Sequence, residues 1–177
     1  MKQIQQRGVS LIEVSAVLAI TAIIASSAAP GFSGMLERRK IEGVSAELTS
    51  DLMFIRSESV SRNKNLVLSF DSTPSGQGCY IIHTGPAGAC NCGASGPAQC
   101  SGASEEIKTV RDAADSRTRI HANVDHMVYE ATRGTATPAG SVYVTGASGT
   151  GVRHVVSMTG RMRTCSPDGR MPGYRSC

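Results

Sequence analysis

The sequence predicts an α+β fold: a long N-terminal helix, membrane-spanning in its first half and amphipathic in its second, packed on an antiparallel β-sheet head. Three observations predict it. From Val9 to Ala29 the chain is apolar or small almost throughout, interrupted by one carboxylate, Glu13. From Ile41 to Ile55 apolar residues return at three- and four-residue steps, which marks one face of a helix. From residue 63 onward, short apolar runs alternate with Gly, Pro and Ser, the punctuation of a sheet. A chain of 177 residues holds one modest domain and an appendage.

Residues 1–8, MKQIQQRG, form a short basic leader. Residues 9–30 follow as the hydrophobic segment. At ~1.5 Å per residue, Val9–Ala29 just covers a hydrocarbon core ~30 Å thick. Two ordinary readings are a secretory signal peptide cut near Ala25–Ala29 and a plain membrane anchor. Neither accounts for Glu13, because an ionised group in a membrane is costly and usually has a partner. Pro30-Gly31 predicts a kink, since Pro removes a backbone donor. Residues 31–62 read as the amphipathic helix, with Ile41, Val44, Leu48, Leu52 and Ile55 on its apolar face. Glu37, Arg38, Arg39, Lys40, Glu42, Glu47 and Asp51 read as a solvated face, and the helix is expected to end near Arg62-Asn63.

Residues 63–177 form the β-rich head. Strands are expected at Asn65–Phe70, Cys79–His83, Glu106–Val110, Arg117–His121, Met127–Glu130, Ser141–Thr145 and Val152–Met158. Between the second and third lies GPAGACNCGASGPAQCSGAS, too rich in Gly, Ala and Ser to pack well, so it reads as a surface loop held by its cysteines. The cysteines are Cys79, Cys90, Cys92, Cys100, Cys165 and Cys177, and an even number in a loop-rich region points to disulfides and an oxidising compartment. Sequence alone does not choose the pairing; Cys165 and Cys177 are the best-placed neighbours. A zinc site at Cys90, Cys92 and Cys100 is the alternative, although C-x-C is tighter than the usual structural spacing.

Charge is uneven. Residues 151–177 carry Arg153, Arg161, Arg163, Arg170 and Arg175 against Asp168 alone, whereas residues 9–150 are nearly balanced. Such asymmetry points to an anionic partner. Within Gly160-Arg161-Met162-Arg163, an extended backbone puts both arginines on one side, about 6.5–7 Å apart, comparable to neighbouring phosphates on a nucleic-acid strand. Arg suits phosphate because its planar fork donates two bonds and stays charged. Gly160 is expected to let the backbone approach a ligand, Arg153, Arg170 and Arg175 to widen the patch, and Tyr174 to offer a stacking face. The alternative is that these arginines keep a strand edge soluble. His83, His121, His126 and His154 sit in no recognisable nucleophile or metal pattern, and Gly146–Gly151 lacks the Lys-Ser/Thr ending of a phosphate loop and reads as a hairpin turn. The reading is a non-enzyme without cofactor.

Arg7-Gly8-Val9-Ser10-Leu11-Ile12-Glu13-Val14 resembles the type IV pilin leader motif, with Val9 where the family usually has Phe. The resemblance implies cleavage after Gly8 by the prepilin peptidase, N-methylation of Val9, and pairing of Glu13 with the terminal amine of a neighbouring pilin subunit. It places the chain in the inner membrane as a single-pass protein before assembly, and in the periplasm or at the cell surface in a filament. MVYEATRGTATPAGSVYVT and VRHVVSMTGRMR resemble the GspH/FimT family of minor pilins and pseudopilins. In FimT-like minor pilins a C-terminal Gly-Arg-x-Arg is linked to DNA binding in natural transformation, which implies DNA as a partner at Gly160, Arg161 and Arg163. The alternative role is a structural minor pilin or type II secretion pseudopilin that helps build a filament and binds no DNA.

Overall fold

The computed structural model describes residues 10–72, 77–93, 96–112 and 117–177, without the side chains of 27–31 and Ser72. The chain divides into two units, Met1–Leu36 and Glu37–Cys177.

The first unit is described from Ser10. Helix α1 (Leu11–Ser61) begins there and runs on into the second unit, passing Pro30 and Gly31 as one element. Ser10 caps it: the Glu13 N–H donates to Ser10 Oγ at 3.4 Å, which makes Ser10 the N-cap and Glu13 the third helical residue. The expected cleavage pair, Gly8 and Val9, lies outside the described residues. Leu11, Ile12, Val17, Leu18, Ile20, Ile23 and Ile24 are exposed. Among the described residues no helix is long and apolar enough to cross a membrane. The predicted span also draws on Val9, which lies outside the described residues, and on residues 27–30, of which only the backbone is described.

The second unit carries the core. Ile41, Leu48, Leu52 and Ile55 are buried, and Val44 packs against them, as the helical repeat predicts. The helix ends one residue before the expected Arg62-Asn63. Asn63 takes φ +49°, and the Lys64 and Asn63 amides donate back to Ser59 and Val60 oxygens at 3.1 and 3.2 Å, a Schellman ending.

The strands are β1 (Leu66–Ser72), β2 (Gly78–Thr84), β3 (Cys90–Asn91), β4 (Gln99–Cys100), β5 (Glu106–Arg111), β6 (Arg119–Ala122), β7 (His126–Tyr129), β8 (Ala136–Thr137), β9 (Gly140–Thr145), β10 (Gly151–Val156) and β11 (Met162–Cys165). They form two sheets rather than one, ordered β5-β2-β1-β7-β8 and β11-β10-β9-β6, with a β3-β4 ribbon. Every pairing is antiparallel. The helix packs on both sheets: its buried residues share a cluster with Leu66, Leu68, Tyr80, Ile82, Met127 and Tyr129 of the first and Ile120, Val142, Val144, Val152 and Val156 of the second.

One expectation is corrected. Asp51 is not on a solvated face. It is 6% exposed, accepts from the Tyr80 hydroxyl at 2.7 Å, and takes Lys108 Nζ at 2.8 Å. Burial and then Asp51 push the Tyr80 hydroxyl pKa up. Burial pulls the Lys108 ammonium down, but its bonds to Asp51 and Glu47 outweigh this and raise it. The cysteine loop is held by its disulfides, as expected of a largely exposed segment rich in Gly, Ala and Ser. Disulfides Cys79–Cys92 and Cys90–Cys100 bury their sulfurs against Ile81, making a second small core. The cross-links supply the apolar bulk that Gly, Ala and Ser lack.

Candidate nucleic-acid interface

The basic tail hangs on the edge of the second sheet. Strands β10 and β11 form a hairpin in which Gly160 N–H donates to Ser157 O at 2.9 Å and Ser157 N–H to Arg161 O at 2.9 Å. Gly160 takes φ +70°. This is a tight turn closed by a glycine bulge. The same device closes β9–β10, where Gly149 takes φ +77° and Gly146 N–H donates to Thr150 O at 2.8 Å, so Gly146–Gly151 is the expected hairpin turn.

Gly160 does not have the place expected of it. It is buried, and a Cβ there would overlap the carbonyl oxygen of Gly134. Its smallness serves the approach of two backbones, not that of a ligand. Arg161 follows at the bulge and Arg163 lies inside β11; both are exposed. Neither forms an ion pair among the described residues.

The remaining arginines differ. Val152, His154 and Val156 turn into the core, leaving Arg153, Val155 and Arg163 on the outer face of the sheet. Arg153 is engaged there: Nε and Nη2 donate to Ser141 Oγ at 3.1 and 2.9 Å, and the guanidinium lies 5.4 Å from the Tyr143 ring centre. On the other side of Tyr143, His121 stacks at 4.8 Å with the planes 4° apart. His121, Tyr143, Arg153 and Cys165 are register partners across all four strands, a row that only strand order reveals.

Arg170 is exposed but pairs with Asp168 at 2.7 Å. Burial would raise the Asp168 pKa; hydrogen bonds from the Arg170 amide, the Ser166 hydroxyl and the Arg170 guanidinium outweigh it and hold the carboxyl at about 2. Arg175 is exposed, and its carbonyl accepts from Ser166 N–H at 2.7 Å. Cys165–Cys177 closes the tail into a ring with Cα atoms 5.0 Å apart. Met171, 1% exposed, plugs that ring into the core. Tyr174 is half-buried against the same core, and so is not the open stacking face the sequence reading assigns it.

A cleft of about 420 Å³ opens beside β6, lined by Phe70, Asp71, Arg119, His121 and Asp125 among others. Its carboxylates make it a poor site for a polyanion. The buried histidines have structural partners: His83 meets Ser69 Oγ at 2.8 Å and Thr84 O at 2.9 Å, and His154 meets Thr49 Oγ1 at 3.5 Å. Among the described residues no group of acids, histidines and cysteines is placed to hold a metal. Cys90 and Cys100 bond each other, and Cys92 bonds Cys79, so none of the three serves a zinc ion.

Two crystal structures of the Pseudomonas aeruginosa type IV minor pilin FimU share this fold. One superposes with a TM-score of 0.55 at 18% identity, covering 78% of this chain and 96% of that one. The other gives 0.50 at 18% identity, covering 75% and 98%. No curated protein matches the sequence. Residues 4–29 match the prokaryotic N-terminal methylation motif. Residues 45–160 match the family described as type II transport protein GspH, a match that stops at Gly160, just before the two exposed arginines. The chain therefore belongs to the GspH family and is a pilin-like protein that carries the N-terminal methylation motif.

Proposed function

We propose that this protein is a minor type IV pilin whose head binds DNA without sequence preference, through its C-terminal Gly-Arg-x-Arg, for DNA uptake in natural transformation. The observation that carries the reading is the state of Arg161 and Arg163: exposed, on a sheet edge, next to a rigid turn, and without an acid partner among the described residues. A solubilising arginine tolerates a carboxylate neighbour, whereas a phosphate-binding one needs its fork free. Arg175 adds charge from the disulfide-closed tail. Arg153 supports the sheet face, and Arg170 contributes only by leaving Asp168.

In the same reading the prepilin peptidase cuts after Gly8, Val9 becomes the methylated terminus, and Glu13 meets that amine on a neighbouring subunit. The bare apolar side chains between Leu11 and Ile24 require cover, supplied first by the inner membrane and then by other pilin subunits. A few phosphate contacts give a Kd on the order of micromolar or weaker, with log affinity falling about 0.9 per duplex phosphate per decade of salt. The test is fluorescence anisotropy of a labelled duplex with the full chain in non-ionic detergent. Arg161→Gln with Arg163→Gln is expected to abolish binding while Tm stays within a degree or two. Unchanged affinity in a folded double variant would refute the reading. The match to type II transport protein GspH favours the second reading, a structural pseudopilin or minor pilin; full filament assembly by a wild-type chain that binds no DNA would select it.

A further inference from the structure

The two glycine turns that meet at Gly160 bring together arginines that are far apart in the sequence. One turn is 157–160. The other is 131–134, which joins β7 to β8 and is closed by Gly134 N–H donating to Glu130 O at 2.9 Å, with Gly134 at φ +60°. The turns dock backbone to backbone. Ala136 N–H donates to Met158 O at 3.0 Å. A Cβ on Gly160 would overlap Gly134 O.

Over this joint lies the side chain of Arg56, from the last turns of α1. A Cβ added at Gly160 would stand 3.1 Å from Arg56 Nε, and one at Gly134 would stand 3.2 Å from it. Each glycine has an exposed arginine as its chain neighbour, Arg133 and Arg161. The side chain of Arg56 therefore lies over a backbone joint from which Arg133 and Arg161 both start, so three arginines from helix, loop and hairpin are rooted at or reach one place. Among the described residues Arg56, Arg133 and Arg161 form no ion pair. Of the acids nearby in the chain, Glu58 pairs with Arg62, and Glu130 accepts from the Thr135 hydroxyl at 3.0 Å and forms no ion pair with these arginines among the described residues.

We infer that Arg56, Arg133 and Arg161 form a phosphodiester-binding site that extends the Gly-Arg-x-Arg edge across the 131–134 turn to the helix. Like charges held together without a counter-ion repel, and an anion seated among them removes that cost. Guanidiniums that converge from three elements grip a phosphate by forked bonds from several directions, which an isolated surface arginine does not do. The glycines place the charges. At either position a side chain would displace Arg56 or part the turns.

This inference rests on the DNA-binding reading, and the experiment separates the two. Binding of a labelled duplex oligonucleotide to the full chain in non-ionic detergent is measured from low to moderate salt for wild type, Arg56→Gln, Arg56→Lys, Arg133→Gln, and Arg161→Gln with Arg163→Gln. Arg56→Gln and Arg133→Gln are each expected to weaken binding about 3- to 10-fold and to lower the log–log salt slope by about 1, with Arg56→Lys keeping the slope. Arg133 is exposed on a turn, so its variant carries the test even if Arg56→Gln unfolds. Unchanged affinity and slope in Arg133→Gln and in folded Arg56→Gln, beside loss in the Arg161/Arg163 variant, overturns the extended site and leaves the DNA reading standing. No binding by wild type overturns both. Reduced filament incorporation with unchanged DNA affinity also overturns it, and assigns the cluster to a neighbouring subunit's acids.

Discussion

Gly160 and His154 show how single residues set limits on the head. Gly160 combines a left-handed backbone with a carbonyl oxygen where its Cβ would be. Gly160→Ala is expected to cost at least about 1–3 kcal/mol, read as a fall in Tm, because strain and overlap add. A neutral result would mean that the two turns do not touch. His154 is fully buried, and burial lowers its pKa to about 4. Its unfolded value lies near 6.5, so the unfolded chain binds the extra proton first. Stability is therefore full above pH 6.5 and is lost as pH falls towards 4, by up to about 3 kcal/mol. In His154→Leu that loss should disappear: its Tm should drop less than wild type between pH 7 and pH 4.5. Parallel profiles for the two would exclude His154 as the source.

At the scale of elements, most of the structure was legible in the sequence. The period of Ile41, Leu48, Leu52 and Ile55 identified the buried helix face, and all seven expected strands occur within a few residues of their predicted bounds. Four strands were not among those expected: β3, β4 and β8, because a two-residue run carries no alternation to detect, and β11, because Met-Arg-Thr-Cys holds no apolar run. Asp51 was misread because helix position alone does not show the Tyr80 hydroxyl and Lys108 that satisfy a buried carboxylate. The tail is a covalent element: Cys165–Cys177 spans 12 residues, and Ser166 bonds across it. Replacing both cysteines with Ser should cost about 3 kcal/mol in the chain-entropy picture, visible as a lower Tm under non-reducing conditions, where the other two disulfides stay intact. An unaltered Tm would show that Met171 and Ser166 hold the tail without the bond.

For the whole molecule, the division at Leu36/Glu37 separates two tasks. The first unit exposes its apolar side chains and Glu13, whose amide is capped by Ser10. Glu13→Ala is expected to leave membrane insertion intact and to spoil incorporation into filaments, measured by fractionating membranes from sheared filaments. Normal incorporation would count against a pairing role for Glu13. The sequence by itself determined the α+β class, the basic leader with its apolar run, and the presence of Arg161 and Arg163, because these rest on local composition and short-range period. Only the tertiary structure decided which glycine serves a turn, which arginines are already engaged, and that Arg56, Arg133 and Arg161 share one joint. The physical reason is that charge acts through space. Residues a hundred positions apart become neighbours only when strand order and two docked turns bring their backbones into contact.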